Sequence, residues 1–401
     1  CFMIEQNLDI LIAGAHDVLP AGELEKKLSK NKPLKVKLGM DPTSPDLHLG
    51  HAVVLSKLKV FQDFGHDIIL IIGDFTARIG DPTGRSKTRP ALTEQEIAEH
   101  AKTYIDQVGK ILDIKKTKIV RNSEWLDKLS IKDFVKLCGK VTLSRIIERD
   151  DFEKRLKEKI TIGFHELLYP LMQGYDSVVL NSDIEFGGTD QTFNNLMGRY
   201  LQEQYGQEPQ VVITMPLLVG LDGVHKMSKS YGNYVGLTEP ANSAFGKLMS
   251  ISDDLMWTYF ELLLNRTKSE LSNIQQDISS GKIHPMDLKK SMAHDIVARF
   301  WSLNEAKEAK QAFEELFQKR DGSFEHAEPI SIDESFSNPI WIVDFLIKYA
   351  NAVKTSSEAK RLIEAGAIIL DDNKITDFKA KVNIKPGMHL KVGKHKFYKI
   401  V

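Results

Sequence analysis

The chain has 401 residues, 42% of them hydrophobic, so it can bury a large core and suggests two or three domains. Its two cysteines exclude a disulfide framework and a cysteine-based zinc site, and favour a reducing, cytoplasmic setting. No apolar run approaches the length of a membrane span, so no membrane partner is expected.

Residues 1–33 read as polar and helical, and Asn31-Lys32-Pro33 leads into a short strand at Leu34, Val36 and Leu38. Then come Gly39-Met40-Asp41-Pro42-Thr43-Ser44-Pro45-Asp46 and Leu47-His48-Leu49-Gly50-His51. Val53, Val54, Leu58 and Phe61 recur at helical spacing as far as Gly65, and residues 68–72 form a second buried strand. Strand, crossover helix and strand make a βαβ unit whose ligand side is the carboxyl end of the first strand. His48 and His51 stand at the mouth of that helix, where exposed N–H groups and the positive dipole end attract phosphate. Gly50 leaves room for a flat ring against the backbone. The stretch reads as a nucleotide site, with a polar helix cap carrying two surface histidines as the plainer alternative.

The run from Gly73 to Arg85 carries Thr76 and Asp81 on the expected ligand side, as a plain loop or as substrate contacts. Thr93-x-x-Glu96 is a capping box that opens a helix to about Leu112. A strand at 117–121 and several short helices to about Lys159 follow.

Over 164–178, Phe164, Leu167, Leu168, Leu171 and Met172 form an apolar stripe, while Tyr169, Gln173 and Asp176 share another face. A solvated face usually carries Lys and Glu. These three can all hydrogen-bond a polar ligand. Residues 184–186 read as a strand, and Gly187-Gly188-Thr189-Asp190-Gln191 turns into a helix with Phe193, Leu196, Met197 and Tyr200 on its core side. Two glycines allow a ligand to approach closely, and Asp190 is a ligand contact or a helix cap. After an apolar run at 211–219 and a loop with Gly220 and Gly223 comes Lys226-Met227-Ser228-Lys229-Ser230. Two lysines three apart on such a loop form a mobile cationic clamp, or a solvated turn.

Residues 238–319 are helical in pattern, with Asp253-Asp254 as a cap, and the polar stretch 326–338 reads as a linker. Beyond it a helix is expected at 340–349 and another from Ser356 to Ala365, stopped at Gly366. Strands at 367–370, 389–392 and 395–400 follow, the last two joined by the hairpin turn Gly393-Lys394. Residues 339–401 hold 12 Lys and Arg against 6 Asp and Glu, a basic tail on a body of net −7. That asymmetry suggests an appended nucleic-acid module.

The His-Leu-Gly-His and Lys-Met-Ser-Lys-Ser motifs, in this order and about one Rossmann domain apart, resemble the two signatures of the class I aminoacyl-tRNA synthetases. The resemblance covers essentially the whole chain and is to the bacterial tyrosyl branch. It implies an α/β protein: a Rossmann-like parallel-sheet catalytic domain at 1–236 with a connecting insertion at about 90–160, an all-helical anticodon-binding domain at 237–325, a linker at 326–338, and a small α+β domain at 339–401 of the type first described in a ribosomal small-subunit protein. The insertion would build a homodimer. The implied substrates are tyrosine, ATP with Mg²⁺, and tRNA(Tyr), with no tightly bound cofactor and no metal site in the protein.

By the same resemblance, Thr43, His48, His51, Lys226 and Lys229 would carry the chemistry. Asp41, Gly50, Gly188 and Asp190 would join those histidines and lysines around ATP, Asp190 at the ribose hydroxyls. Thr76, Asp81, Tyr169, Gln173, Asp176 and Gln191 would hold tyrosine: Asp81, Tyr169 and Gln173 at its amino group, Asp176 at its phenol, Gln191 at its carboxylate. Lys37 stands where the better-known bacterial branch has a tyrosine beside that phenol, so it too is expected at the amino acid. A tryptophanyl enzyme shares the fold but normally lacks the tail and the Tyr169/Gln173/Asp176 constellation. A non-catalytic RNA-binding relative would not need His48, His51, Lys226 and Lys229 intact.

Overall fold

Apolar strands and amphipathic helices alternate through the first part of the chain, and this alternation winds a mostly parallel sheet. Its strands are β1 (Asp17–Leu19), β2 (Lys35–Met40), β3 (Asp67–Ile72), β4 (Thr117–Arg121), β5 (Ile184–Gly188) and β6 (Val211–Met215), in the order β1-β6-β5-β2-β3-β4. All neighbours run parallel except β1, which pairs antiparallel with β6 at the edge. The computed structural model describes residues 8–83, 92–321, 327–332, 336, 338–371, 373–393 and 396–401, with side chains 316–321 excepted. The chain divides into two compact units, Cys1–Lys310 and Gln311–Val401.

In the first unit β2, β3 and β4 step one way across the sheet, and β5 and β6 lie on the other side of β2. The direction in which successive strands are added therefore reverses between the parallel neighbours β2 and β5, and a crevice opens outside the carboxyl ends of those two strands. The strands are buried on both faces, as helix-covered parallel strands must be: β3 is buried from Ile68 to Ile72 and β6 throughout. Helix α1 (Leu49–Asp63) crosses from β2 to β3. Helices α2 (Tyr169–Leu180) and α3 (Thr192–Gln204) flank β5 in the chain. The helical stretch that follows has α4 (Ala241–Met249), α5 (Asp253–Leu264), α6 (Lys268–Ser279), α7 (Pro285–Phe300) and α8 (Leu303–Asp321).

The second unit folds a five-stranded sheet from β7 (Glu328–Ile330), β9 (Ile368–Leu370), β10 (Asn373–Ile375), β12 (His389–Val392) and β13 (Lys396–Ile400), in the order β10-β9-β12-β13-β7. β8 (Ile340–Trp341) pairs with β11 (Lys381–Val382). Its core gathers Ile342, Phe345, Leu346, Ile363, Ile368, Leu390 and Ile400.

Several expectations are corrected here. The stretch 326–338 is not linker throughout, because Glu328–Ile330 adds a parallel strand to the edge of β13. Ile340 and Trp341 are a strand, and the helical turns begin only at Ile342. Residues 164–168 form a 3-10 turn, and α2 begins only at Tyr169 with Pro170 in its first turn, so Phe164 leaves the expected core stripe and stands 76% exposed. On α3 the buried side includes Asn194, Asn195 and Gly198, while Phe193 and Tyr200 are only partly covered. Ser252, not Asp253, caps α5 by accepting from the Leu255 N–H. Lys394 and His395, the turn and first residue expected for the last hairpin, lie outside the described residues, as do Gly84 and Arg85.

Candidate active site

The crevice at the sheet reversal is a cleft of about 840 Å³. It is lined by Asp41, Thr43 and His48 from the β2–α1 connection, by Gly50 and His51 from the first turn of α1, and by Thr76 and Asp81 from beyond β3. Tyr169, Gln173 and Asp176 from α2, Gly188 at the end of β5, Asp190 and Gln191 just after it, and Lys226 and Lys229 complete it. Every residue expected from sequence to bind substrate thus reaches this one space, except Lys37.

At the floor, the i, i+4, i+7 spacing aims three polar side chains of α2 inward. Tyr169 donates its hydroxyl to Asp41 Oδ2 at 2.8 Å, and Thr76 donates to Asp41 Oδ1 at 2.7 Å. Burial and the neighbouring Asp41 charge hold the Tyr169 hydroxyl well above its ordinary pKa, so it stays a neutral donor. Gly73 packs where any Cβ would collide with Asp41 and Thr76. Asp176 accepts from Trp125 Nε1 at 2.8 Å and from Asn122 Nδ2 at 3.3 Å. Burial pushes its carboxyl up to about 7 against the opposing pull of Lys37 and those two donors. Asp81 accepts from Gln191 Nε2 at 2.7 Å, and the buried Arg149 stands 3.5 Å away.

The rim is built differently. His48 is the N-cap of α1: its Nδ1 accepts from the Gly50 N–H at 3.2 Å. His51 Nδ1 accepts from the His48 N–H at 3.2 Å, which closes a capping box made of two imidazoles. Burial, the neighbouring ring and the loop lysines drive His48 down to about 2, and burial with Lys229 drives His51 to about 4. Both rings are neutral at physiological pH. With each Nδ1 used as an acceptor, the proton sits on Nε2, so both rings offer a donor. A Cβ on Gly50 would strike the His48 ring, which is why that position is glycine.

Across the cleft Lys226 pairs with Asp190 at 2.9 Å and Lys229 with Asp46 at 3.2 Å. Asp190 makes no cap contact, so its carboxylate serves the cleft and not the helix. Asn233 holds the lysine loop in shape: its Oδ1 accepts from the Ser228 N–H at 2.9 Å, and its Nδ2 donates to the carbonyls of His225 and Lys226.

Lys37 is the exception. It is 1% exposed, faces Glu185 directly in the β2–β5 register, and places Nζ 2.9 Å from Glu185 Oε1. The residues that sequence reasoning passed over are Asn122, Trp125, Glu185, Asp46, Asn195, Arg149 and Asn233. Two of them had a signal. Glu185 is a charge inside an apolar strand, which demands a buried partner, and Asn122 follows β4 at its ligand end. Arg149 and Trp125 arrive from the insertion, where nothing in the spacing points to the cleft.

A family model described as tRNA synthetases class I (W and Y) matches residues 29–318, and the chain belongs to that class. A tyrosine–tRNA ligase of Aquifex aeolicus is 49% identical over 397 residues, covering 99% of both chains. One of Francisella tularensis is 51% identical over 400 residues, again covering 99% of each. Among solved structures, tyrosyl-tRNA synthetase of Archaeoglobus fulgidus complexed with L-tyrosine is 25% identical with a TM-score of 0.63, over 77% of this chain and 99% of that one. Within the class, the chain falls in the bacterial tyrosine–tRNA ligase family.

Proposed function

We propose that this chain activates tyrosine with ATP and transfers the tyrosyl group to the 3′ end of tRNA(Tyr). One observation carries the reading: a single cleft joins the hydroxyl-reading floor at Asp176 to the phosphate-facing rim at His48, His51, Lys226 and Lys229. The tyrosine carboxylate attacks the α-phosphate in line, and pyrophosphate leaves. A ribose hydroxyl of the tRNA then takes the tyrosyl group and releases AMP. No side chain needs to act as a nucleophile. The chain's part is to position the reactants and to aim donors and cations at charge that develops on the phosphates. His48 and His51 offer Nε2–H donors, and Lys226 and Lys229 close over the phosphates once ATP competes for their aspartates. Mg²⁺ enters on the ATP phosphates as part of that substrate.

At the floor, Asp41 and Asp81 supply the negative charge that a desolvated ammonium requires, with Tyr169 and Gln173 beside them. Asp176 reads the phenol and Gln191 the carboxylate. Phosphate chemistry at this rim speaks against a silent RNA-binding relative, and a floor built around Asp176 against the tryptophanyl alternative.

Two further readings complete the proposal. Ile131, Val135, Leu143, Leu156 and Phe164, all large and mostly uncovered, sit within or beside the insertion, and a second copy of this chain is the partner they fit. The basic tail 339–401 supplies phosphate contacts to tRNA. The setting is cytoplasmic translation. Pyrophosphate exchange into ATP, run with each of the twenty amino acids, is the test: exchange with tyrosine alone is expected, and exchange with tryptophan or with none would end the reading.

A further inference from the structure

Lys37 and Glu185 form a buried ion pair that touches no substrate space, yet it sits one hydrogen bond below the cleft. Glu185 Oε1, paired with Lys37, accepts from Gln173 Nε2 at 3.2 Å. Gln173 Nε2 spends its other N–H on Asn195 Oδ1 at 3.0 Å. An amide has two N–H groups and one carbonyl, so the atom left for the cleft is Oε1, an acceptor. We propose that the Lys37–Glu185 pair is a polarity lock: it fixes the Gln173 amide with its carbonyl oxygen turned to the cleft, where it accepts from the ammonium group of the amino-acid substrate. This rests on the reading of the cleft given above.

The neighbours show why the lock lies in Glu185. Its Oε2 accepts from Ser177 Oγ at 3.2 Å and from Gln210 Nε2. Gln210 is itself fixed, because its Oε1 accepts from Ser182 Oγ at 2.6 Å and its Nε2 also donates to the Asn195 carbonyl at 3.1 Å. Both carboxylate oxygens therefore face donors, and an inverted Gln173 would point its carbonyl at a carboxylate. Asn195 imposes a weaker choice. Its Oδ1 accepts from Gln173, but its Nδ2 is buried with no hydrogen-bond partner, so turning both amides over together exchanges that contact for one donated by Asn195. Only the ion pair prevents Gln173 from presenting an N–H, a donor that repels an ammonium, to the cleft. Lys37 is thus a positioning residue that acts through Glu185 and Gln173.

The test uses Lys37→Met/Glu185→Gln in the full chain. This variant removes both charges together and leaves no buried charge unpaired. Its new amide has its oxygen held by Ser177 and Gln210, so its NH₂ faces Gln173 and inverts that side chain. Tyrosine and 3-(4-hydroxyphenyl)propionate, the same skeleton without the ammonium group, are titrated into both proteins by calorimetry. Tyrosine should weaken about 10- to 100-fold, the range of one charge-assisted hydrogen bond, and the analogue less than about threefold. Adding Gln173→Glu, an acceptor at both ends, should restore most of the preference. Equal loss for both ligands, or none for tyrosine, overturns the lock. If the variant does not fold, side-chain amide exchange in the unaltered protein decides: both Gln173 N–H protons should be protected from solvent, and rapid exchange refutes the orientation. If the unaltered protein binds no tyrosine, the reading of the cleft fails, while the exchange measurement still judges the lock.

Discussion

The two ends of the cleft are held by opposite means. At the floor, Asp41, Gln173 and Asp176 each have two or more partners among neighbouring side chains, and Tyr169 and Asp176 are buried. At the rim, Lys226 and Lys229 are each held across the cleft by one carboxylate, with 45% and 28% of their side chains exposed. Exposed pairs of this kind contribute only about 0–1 kcal/mol. The floor is therefore preorganised, whereas the two lysines of the rim are free to move. A group that must tell tyrosine from its neighbours has to be rigid before the substrate arrives, whereas cations that serve a passing charge have to follow it.

The largest effect expected from breaking this contrast is at the rim. Lys229→Ala should slow adenylate formation about 10²- to 10³-fold, the cost of one electrostatic contact aimed at developing charge, with tyrosine affinity little changed. Pre-steady-state kinetics reads both. Equal losses in binding and in the chemical step would make the rim part of ground-state recognition and erase the distinction.

At the floor the pattern reverses. Asp176→Ala should cut the preference for tyrosine over phenylalanine by about a hundredfold or more, because on the proposed reading a buried carboxyl left without the phenol is what excludes phenylalanine. Competitive exchange with the two amino acids measures it, and an Ala variant that still rejects phenylalanine would move the hydroxyl-reading role elsewhere.

A cut that touches neither end sharpens the contrast by subtraction. Removing residues 327–401 should leave tyrosine activation within about twofold and reduce tRNA charging at least tenfold. The plot of log affinity against log salt should also become shallower by about 0.7–0.9 for each phosphate that the tail no longer neutralises. The cut belongs at 327 and not 339, since β7 would otherwise be left without β13. Unchanged charging and salt slope in the truncated chain would refute the RNA-binding role of the tail.

The smallest effect is on stability and follows from pH. Asp176 has its folded pKa raised to about 7 from 3.8, with burial as the main cause. Between these values the unfolded chain has released its proton and the folded chain has not. Stability attributable to this group is thus full below pH 4, falls as pH rises to 7, and is level above. Asp176→Asn should flatten that slope and raise stability at pH 8 by about 1–3 kcal/mol once a lost acceptor is allowed for. Urea unfolding at pH 5 and pH 8, followed by tryptophan fluorescence, would show it. A rigid floor would then be seen to cost stability for the sake of recognition.

How far the sequence disclosed this arrangement differs between the same two ends. The parallel core was legible because apolar strands such as 68–72 alternate with helical spacing, and the α2 triad because Tyr169, Gln173 and Asp176 are not what solvated faces carry. The lysine loop was legible as a pattern of charge and glycine. The supports of the floor were not. Trp125 and Asn122 reach Asp176 across about 50 residues of chain, and Arg149 reaches Asp81 across 68, distances at which spacing says nothing about contact. Lys37 could be noticed as a charge in a strand, but only the β2–β5 register shows that its partner is Glu185. Phe164 was misplaced because Pro170 and the 3-10 turn before it break the helical phase on which the stripe depended.

The imidazole capping box divides each ring between two employments. Nδ1 belongs to the architecture of α1, and Nε2 is left as the donor proposed for the phosphates, so a substitution can dismiss one and keep the other. Asparagine, whose carbonyl oxygen can stand where Nδ1 does, would save the helix terminus and leave the cleft short of a donor. Glutamine, long enough to carry an N–H to the place of Nε2, would do the reverse. No smaller residue performs both duties. On the proposed reading, histidine suits positions 48 and 51 for a reason unconnected with proton transfer: it is a short side chain that can hold the backbone with one hand and offer a donor to a phosphate with the other.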